Sequence, residues 1–210
     1  MATIGSIILI VGTYLLGSVP WGVVLGRVFK GVDVRRFGSG AIGATNTHRV
    51  LGWKFSVAVF VLDFLKGMLP VLLARFAGVP GWAIGIVAVV SVVGHCWSPF
   101  IGFKGGKGMA TGGGAAVGLL PWLFLMLFPM ILIVALTRYV SLASIAAAFL
   151  GTALVTAYAV WGSFPEWWAA GVAAVCAIIV LQHRGNIWRL LHGTERKFTF
   201  REGANATPAH

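Results

Sequence analysis

The sequence predicts an all-α, polytopic integral membrane protein of about seven transmembrane helices. Three observations carry this. The 210 residues are 59% apolar and only 10% charged, and mean hydropathy is +0.93. Soluble domains hold about 25% charged residues, so a water-soluble fold and a disordered chain are both excluded. The apolar residues fall in runs of roughly 20, the length that crosses a bilayer as a helix. And the basic residues gather in the segments that seven crossings put on one side.

The first run, Ile4 to Val28, is too long and too soon followed by others to be a cleaved leader. The second is Phe55 to Ala74 and the third Trp82 to Phe100. Met109 to Leu136 is long for one span and short for two, and is interrupted by Pro121 and Pro129. The last two are Val140 to Trp161 and Trp167 to Gln182. Charge decides the ambiguous stretch. If it crosses twice, as a short leg and a leg begun at Pro121, then 27–54, 101–108, the turn at Arg138 and 183–210 share one side. Those segments hold fourteen of the sixteen Lys and Arg; only Lys66 and Arg75 lie elsewhere. The expected topology is N-terminus outside and C-terminus cytoplasmic, with Met109–Leu120 a tilted or partly re-entrant leg. Trp161, Trp167 and Trp168 mark the outer interface. Residues 1–198 read as one membrane-embedded domain and 199–210 as a disordered cytoplasmic tail. No internal repeat supports an inverted-repeat transporter.

Sixteen Lys and Arg against five Asp and Glu leave a net charge of +11. Such a bias usually points to nucleic acid, but a chain this apolar is better matched to anionic lipid or a phosphorylated substrate. Cys96 and Cys176 sit in apolar runs and read as buried thiols. No carboxylate cluster or paired Cys/His spacing suggests a metal, and no cofactor is implied.

Three polar or glycine-rich segments lie on the basic side. In Gly38-Ser-Gly-Ala-Ile-Gly-Ala-Thr-Asn-Thr-His-Arg49, glycines beside Ser39, Thr45 and Asn46 favour a tight loop with free N–H groups, and Arg49 adds a planar fork suited to phosphate. Gly38, Gly40 and Gly43 match the dinucleotide pattern G-x-G-x-x-G, but no strand precedes them and a membrane span follows, so that match is rejected. The second segment, Gly94 to Gly108 running on to Thr111, carries His95 and Ser98. Its Lys104-Gly105-Gly106-Lys107-Gly108 turn puts two ammonium groups on a backbone able to close on an anion, ahead of a helix N-terminus. The third runs from His183 to Phe198 and places His183 and Asn186 at i, i+3, on one helix face if the last span continues through them. Asp63 and Lys66 lie inside the second span, also at i, i+3, and read as a pair that neutralises itself or binds across helices.

Together, Gly-Ser-Gly-x-x-Gly-Ala-Thr-Asn…Arg, Gly-His-x-x-Ser-Pro-Phe…Lys-Gly-Gly-Lys-Gly-x-Ala-Thr-Gly and His-x-x-Asn-Ile-x-Arg-Leu…Gly-x-Glu-x-Lys-Phe resemble the three motifs of the PlsY family, the bacterial acyl-phosphate:glycerol-3-phosphate acyltransferases. The resemblance spans about Gly17 to Phe198 and includes Asp33, Asp63-Phe-Leu-Lys66-Gly and Arg138-Tyr-Val-Ser-Leu. It departs at Ala41, where the family usually has Asn. The resemblance implies a seven-helix enzyme of the bacterial inner membrane, with its active site facing the cytoplasm. It also implies transfer of a fatty acyl group from acyl phosphate to the 1-hydroxyl of glycerol 3-phosphate. The products are lysophosphatidic acid and inorganic phosphate, the first step of phospholipid synthesis. By position it makes Ser39, Arg49, Lys107, His183 and Asn186 catalytic. Gly40, Gly43, Thr45, Asn46, His95, Ser98, Lys104, Gly105, Gly106, Gly108 and Thr111 become phosphate-loop residues, and Glu195 becomes structural, with Asp63 and Lys66.

The residues suit that chemistry. Both substrates carry phosphate, and one has a long apolar tail. An acyl phosphate is already activated, so no covalent intermediate is needed. The His-x4-Asp signature of other acyltransferases is absent: five residues after His48, His95, His183 and His192 stand Trp53, Phe100, Trp188 and Lys197. The proton acceptor is then His183 or an oxygen of the substrate phosphate. A transporter of a phosphorylated metabolite is the competing reading, but the spans offer few polar residues beyond Asp63 and Lys66. An anionic-lipid scaffold explains the charge but not three glycine-rich motifs.

Overall fold

A computed structural model describes residues 2–162 and 164–199. The expectation for residues 200–210 lies outside them. All regular elements among the described residues are helical: α1 (Ala2–Gly17), α2 (Trp21–Lys30), α3 (Ala44–Leu51), α4 (Trp53–Phe76), α5 (Gly81–Cys96), α6 (Met109–Leu119), α7 (Leu127–Thr137), α8 (Val140–Trp161), α9 (Glu166–Gln182) and α10 (Arg184–Leu191). By length and hydropathy α4, α8 and the stretch 81–101 suffice to cross a bilayer, and two bent pairs, α1 with α2 and α9 with α10, raise the number to five. The remaining apolar stretch forms two legs, α6 and Pro121–Thr137. This is the division at Pro121 that the charge pattern demanded. At about 1.5 Å per residue, neither leg alone spans the ~30 Å hydrocarbon core without help.

One single-span expectation needs correction, and so does the shared helix face conditional on the last span continuing. The run Ile4 to Val28 is not one helix: the chain breaks between Gly17 and Trp21, and α2 leaves α1 at 46°. Pro20 has no N–H to continue the ladder, so carbonyls are released inside the protein. Others satisfy them: Lys66 Nζ donates to Val19 O at 2.7 Å and Ser98 Oγ donates to Ser18 O at 2.6 Å. The last span also bends, by 55°, at His183. His183 and Asn186 therefore do not share one continuous helix face.

Close packing rests on small residues. The Cα atoms of Gly67 on α4 and Gly114 on α6 face the carbonyls of Thr111 and Phe64 so closely that a Cβ at either would collide with them. In lipid, helices associate by such backbone approach. Arg75 near the end of α4 donates to Gly118 O at 2.6 Å and Leu119 O at 3.3 Å, capping the short α6, and its guanidinium lies over the Trp168 ring. The main core joins Val71, Val87, Leu119 and Val172. By contrast, α7 has no fully buried residue, with Phe128, Ile131, Leu132 and Leu136 exposed.

Candidate active site

The three polar segments meet at one end of the bundle around a cavity of about 360 Å³. The first segment is folded by its own side chains. Asp33 accepts from the Arg35 N–H and from the Arg35 and Arg27 guanidinium groups, and the Arg35 hydrogen bonds hold its carboxyl well below the usual carboxylate range. Asn46, 1% exposed, accepts from the Ser39 N–H at 2.8 Å and shares its amide hydrogens among the carbonyls of Val34, Phe37 and Ala41. Its side chain is thus occupied in shaping the loop. The Ala41 contact is made by backbone, which the departure from Asn leaves intact. The result is that Ser39, Gly43 and Thr45 line the cavity, with Arg49 one turn along α3.

Arg49 is the first of the cavity's cations. Its guanidinium has no hydrogen-bond or ion-pair partner among the described residues, although it is half-buried. Burial first, and then the neighbouring Arg196, push its pKa below the usual value. Lys107 is the second cation. Its loop is fixed by backbone bonds, Gly105 N–H to Cys96 O and Gly106 N–H to His95 O, and Gly108 turns the chain into α6 at φ 77°. Lys107 Nζ donates to Asn186 Oδ1 at 2.6 Å. Burial, only partly countered by Glu195, lowers its pKa to about 8. A site that strains two cations in this way gains when an anion enters.

Asn186 is oriented from behind. Its Nδ2 donates to Glu195 Oε1 at 2.6 Å, Ser141 Oγ donates to the same oxygen at 2.7 Å, and Arg189 Nε donates to Oε2 at 2.8 Å. Burial alone would raise the Glu195 pKa, but these donors outweigh it and hold it below the usual value. His183 Nδ1 lies 2.7 Å from Ile179 O, and since a carbonyl only accepts, Nδ1 carries the proton and the lone pair of a neutral ring sits on Nε2. Arg196 Nη1 donates to Gly38 O at 2.9 Å, bridging the third segment to the first.

The structure therefore brings Ser39, Gly43, Thr45, Asn46, Arg49, His95, Lys107, Gly108, His183 and Asn186 to one cavity, with Glu195 and Asp63 also on its wall. It does not bring Gly40, Ser98, Lys104, Gly105, Gly106 or Thr111 there. Lys104 is exposed, and Ser98 and Thr111 are buried elsewhere. Lys66 is buried behind Asp63. Sequence reasoning missed Ser141, Arg189 and Arg196 as cavity residues. The Arg138-Tyr-Val-Ser-Leu signature held Ser141 and the third motif held Arg189, while Arg196 read only as a topology charge. The lining also includes the apolar Phe60, Met109, Met130 and Val140. Among the described residues no group of three His, Cys, Asp or Glu could hold a metal.

Residues 7–193 match the family profile described as glycerol-3-phosphate acyltransferase. The chain belongs to that family. Relatives named glycerol-3-phosphate acyltransferase include one from Fusobacterium nucleatum, 43% identical over 91% of this chain and 97% of its own. Another, from Rubrobacter xylanophilus, is 42% identical over 94% and 98%. The crystal structure of PlsY (YgiH), an integral membrane glycerol 3-phosphate acyltransferase in its glycerol 3-phosphate form, superimposes with a TM-score of 0.87. It is 39% identical and is covered over 96% of its chain and 93% of this one. A lysophosphatidic acid form of that protein gives 0.85 at 38% identity, covering 95% of this chain and 98% of the other. The all-helical membrane fold and the family expected from the three motifs are thereby established.

Proposed function

We propose that this protein transfers a fatty acyl group from acyl phosphate to the 1-hydroxyl of glycerol 3-phosphate, at the cytoplasmic face of the bacterial inner membrane. The observation that carries it is the cavity's mixed character. The unpaired Arg49 guanidinium and the Lys107 ammonium line it together with the apolar Phe60, Met109 and Met130. Phosphates go to the cations, and the acyl chain, entering from the lipid, goes to the apolar side chains.

The hydroxyl oxygen attacks the acyl carbonyl carbon, the bond from that carbon to the phosphate oxygen breaks, and the proton leaves on the departing phosphate. His183 Nε2 accepts from the attacking hydroxyl and orients it. Ser39 and Asn186 hold polar groups of the substrates, and Arg49 and Lys107 neutralise the leaving phosphate. The N-terminus-outside orientation rests on the fourteen basic residues that seven crossings gather on one side of the membrane. The test is phosphate release by purified protein given palmitoyl phosphate, with and without glycerol 3-phosphate. Release that requires glycerol 3-phosphate and yields lysophosphatidic acid is the expected result. Absence of release from folded protein overturns the proposal.

A further inference from the structure

The cavity lining holds a pair that the transfer chemistry does not use. Asp63 on α4 and His95 on α5 both reach the cavity wall, at 2% and 4% exposure. Asp63 Oδ1 lies 2.8 Å from Lys66 Nζ and 3.7 Å from His95 Nδ1, yet neither Oδ1 nor His95 Nδ1 has a well-directed hydrogen-bond partner. Buried polar atoms left this way are costly unless something else meets them. Their separation is too long for a good mutual bond. Both atoms are closed to solvent, and their spacing is one that a single hydroxyl oxygen ~2.8 Å from each would bridge, donating to the carboxylate and accepting from the imidazole N–H.

Charge narrows the occupant. Glu195, the other carboxylate on the wall, is already engaged by three donors. A phosphate is better met by the cations Arg49 and Lys107 than by the Asp63 carboxylate. A carboxylate accepts only, so what belongs beside it is an O–H. Asp63 is also fixed against Lys66, whose ammonium is in turn held by Val19 O. A carboxylate locked to an ammonium holds a hydroxyl without taking its proton, so its partner is a hydroxyl that does not react. His95 is held as well, its ring flush against Gly106, where a Cβ would strike Nε2.

Building on the acceptor assigned above, we infer that Asp63 and His95 form a recognition site for the 2-hydroxyl of glycerol 3-phosphate, and so select phosphorylated polyols over simple hydroxyalkyl phosphates. The selection is strong because the deoxy acceptor leaves two buried polar atoms unmet. The test compares kcat/KM for glycerol 3-phosphate, 3-hydroxypropyl phosphate and the 2-deoxy-2-fluoro analogue, with palmitoyl phosphate as donor. The wild-type protein is expected to prefer glycerol 3-phosphate by about 100-fold over both, since fluorine keeps the volume but cannot donate. In His95→Gln and Asp63→Asn the preference is expected to fall to a few-fold, because glycerol 3-phosphate loses activity and 3-hydroxypropyl phosphate does not. Equal use of the acceptors by the wild type overturns the inference, and that comparison needs no variant to fold. So does an equal loss with all acceptors in Asp63→Asn, which would place the pair on the reacting hydroxyl. No transfer to glycerol 3-phosphate at all would instead refute the acyltransferase reading itself.

Discussion

Replacing Glu195 by Gln keeps its shape and removes its charge, which isolates how the strap after α10 serves the site. Glu195 accepts from Ser141, Asn186 and Arg189. A glutamine has one acceptor oxygen, so its NH2 must face either Arg189 or the Ser141–Asn186 pair, donor against donor. With Arg189 about 40% exposed, the lost ion pair is screened and costs about 1 kcal/mol or less. The larger effect is on Asn186. Its amide is oriented only because Nδ2 has an acceptor behind it, which turns Oδ1 toward Lys107 at 2.6 Å. Free to flip, it would present NH2 to an ammonium. A hydrogen bond to a charged group is worth ~1.5–3 kcal/mol, so kcat/KM should fall about 10- to 100-fold. The assay is acyl transfer in detergent for Glu195→Gln, Asn186→Ala and the double variant, with thermal unfolding alongside. If Glu195 acts through Asn186, the double variant is no slower than Asn186→Ala. Losses that multiply would refute this coupling. Because the folded-state pKa of Glu195 is lowered, its stability contribution is present above about 4.5, the ordinary carboxylate value, and is lost as pH falls through the lower folded value. Glu195→Gln should remove that acid limb.

Other outcomes follow from the same geometry. Lys107, with its pKa lowered to about 8, is ammonium below that pH and neutral above it. The kcat/KM for glycerol 3-phosphate should therefore fall about tenfold per unit above pH 8, with the limb displaced to higher pH in kcat, where bound phosphate favours the charge. Lys107→Ala should raise KM for glycerol 3-phosphate or abolish activity, and an unchanged kcat/KM would remove Lys107 from the site. Arg49→Lys, which keeps charge but loses the fork, should lower kcat/KM at least tenfold without changing thermal stability. Gly114→Ala should abolish folded protein, because its methyl would strike the Phe64 carbonyl, whereas Gly113→Ala meets no atom within 4 Å and should be recovered normally on gel filtration.

The spans were legible because bilayer thickness and hydropathy act on whole segments, and α4, α8 and α9 begin and end within two residues of the apolar runs. The division at Pro121 was legible through charge alone. The break at Pro20 was not. An apolar run conceals it, and what makes it tolerable is a pair of donors, Lys66 and Ser98, 47 and 80 positions along the chain from their acceptors. The same remoteness misled the reading of Ser98, whose hydroxyl serves a carbonyl rather than a phosphate. Lys104 and Lys107 are chemically alike in sequence. Only the backbone bonds of Gly105 and Gly106 decide that Lys107 turns inward. Arg196 looked like an ordinary interfacial charge until the fold returned the last segment to the first.

That return has a bearing on biosynthesis. Arg196 reaches Gly38, and Phe198 donates its N–H to Arg138 O at 2.6 Å while accepting from Arg138 Nε at 3.1 Å. The cavity wall is therefore completed by almost the last described residues of the chain. While the protein is threaded into the membrane during translation, earlier helices pack and the first two motifs come together, but Asn186 and Glu195 are still to arrive. A nascent chain thus holds the means to attract phosphate before it holds the means to orient it. Turnover begins only once synthesis has passed the strap, and a stop codon ahead of Glu195 should yield an inserted but inactive product.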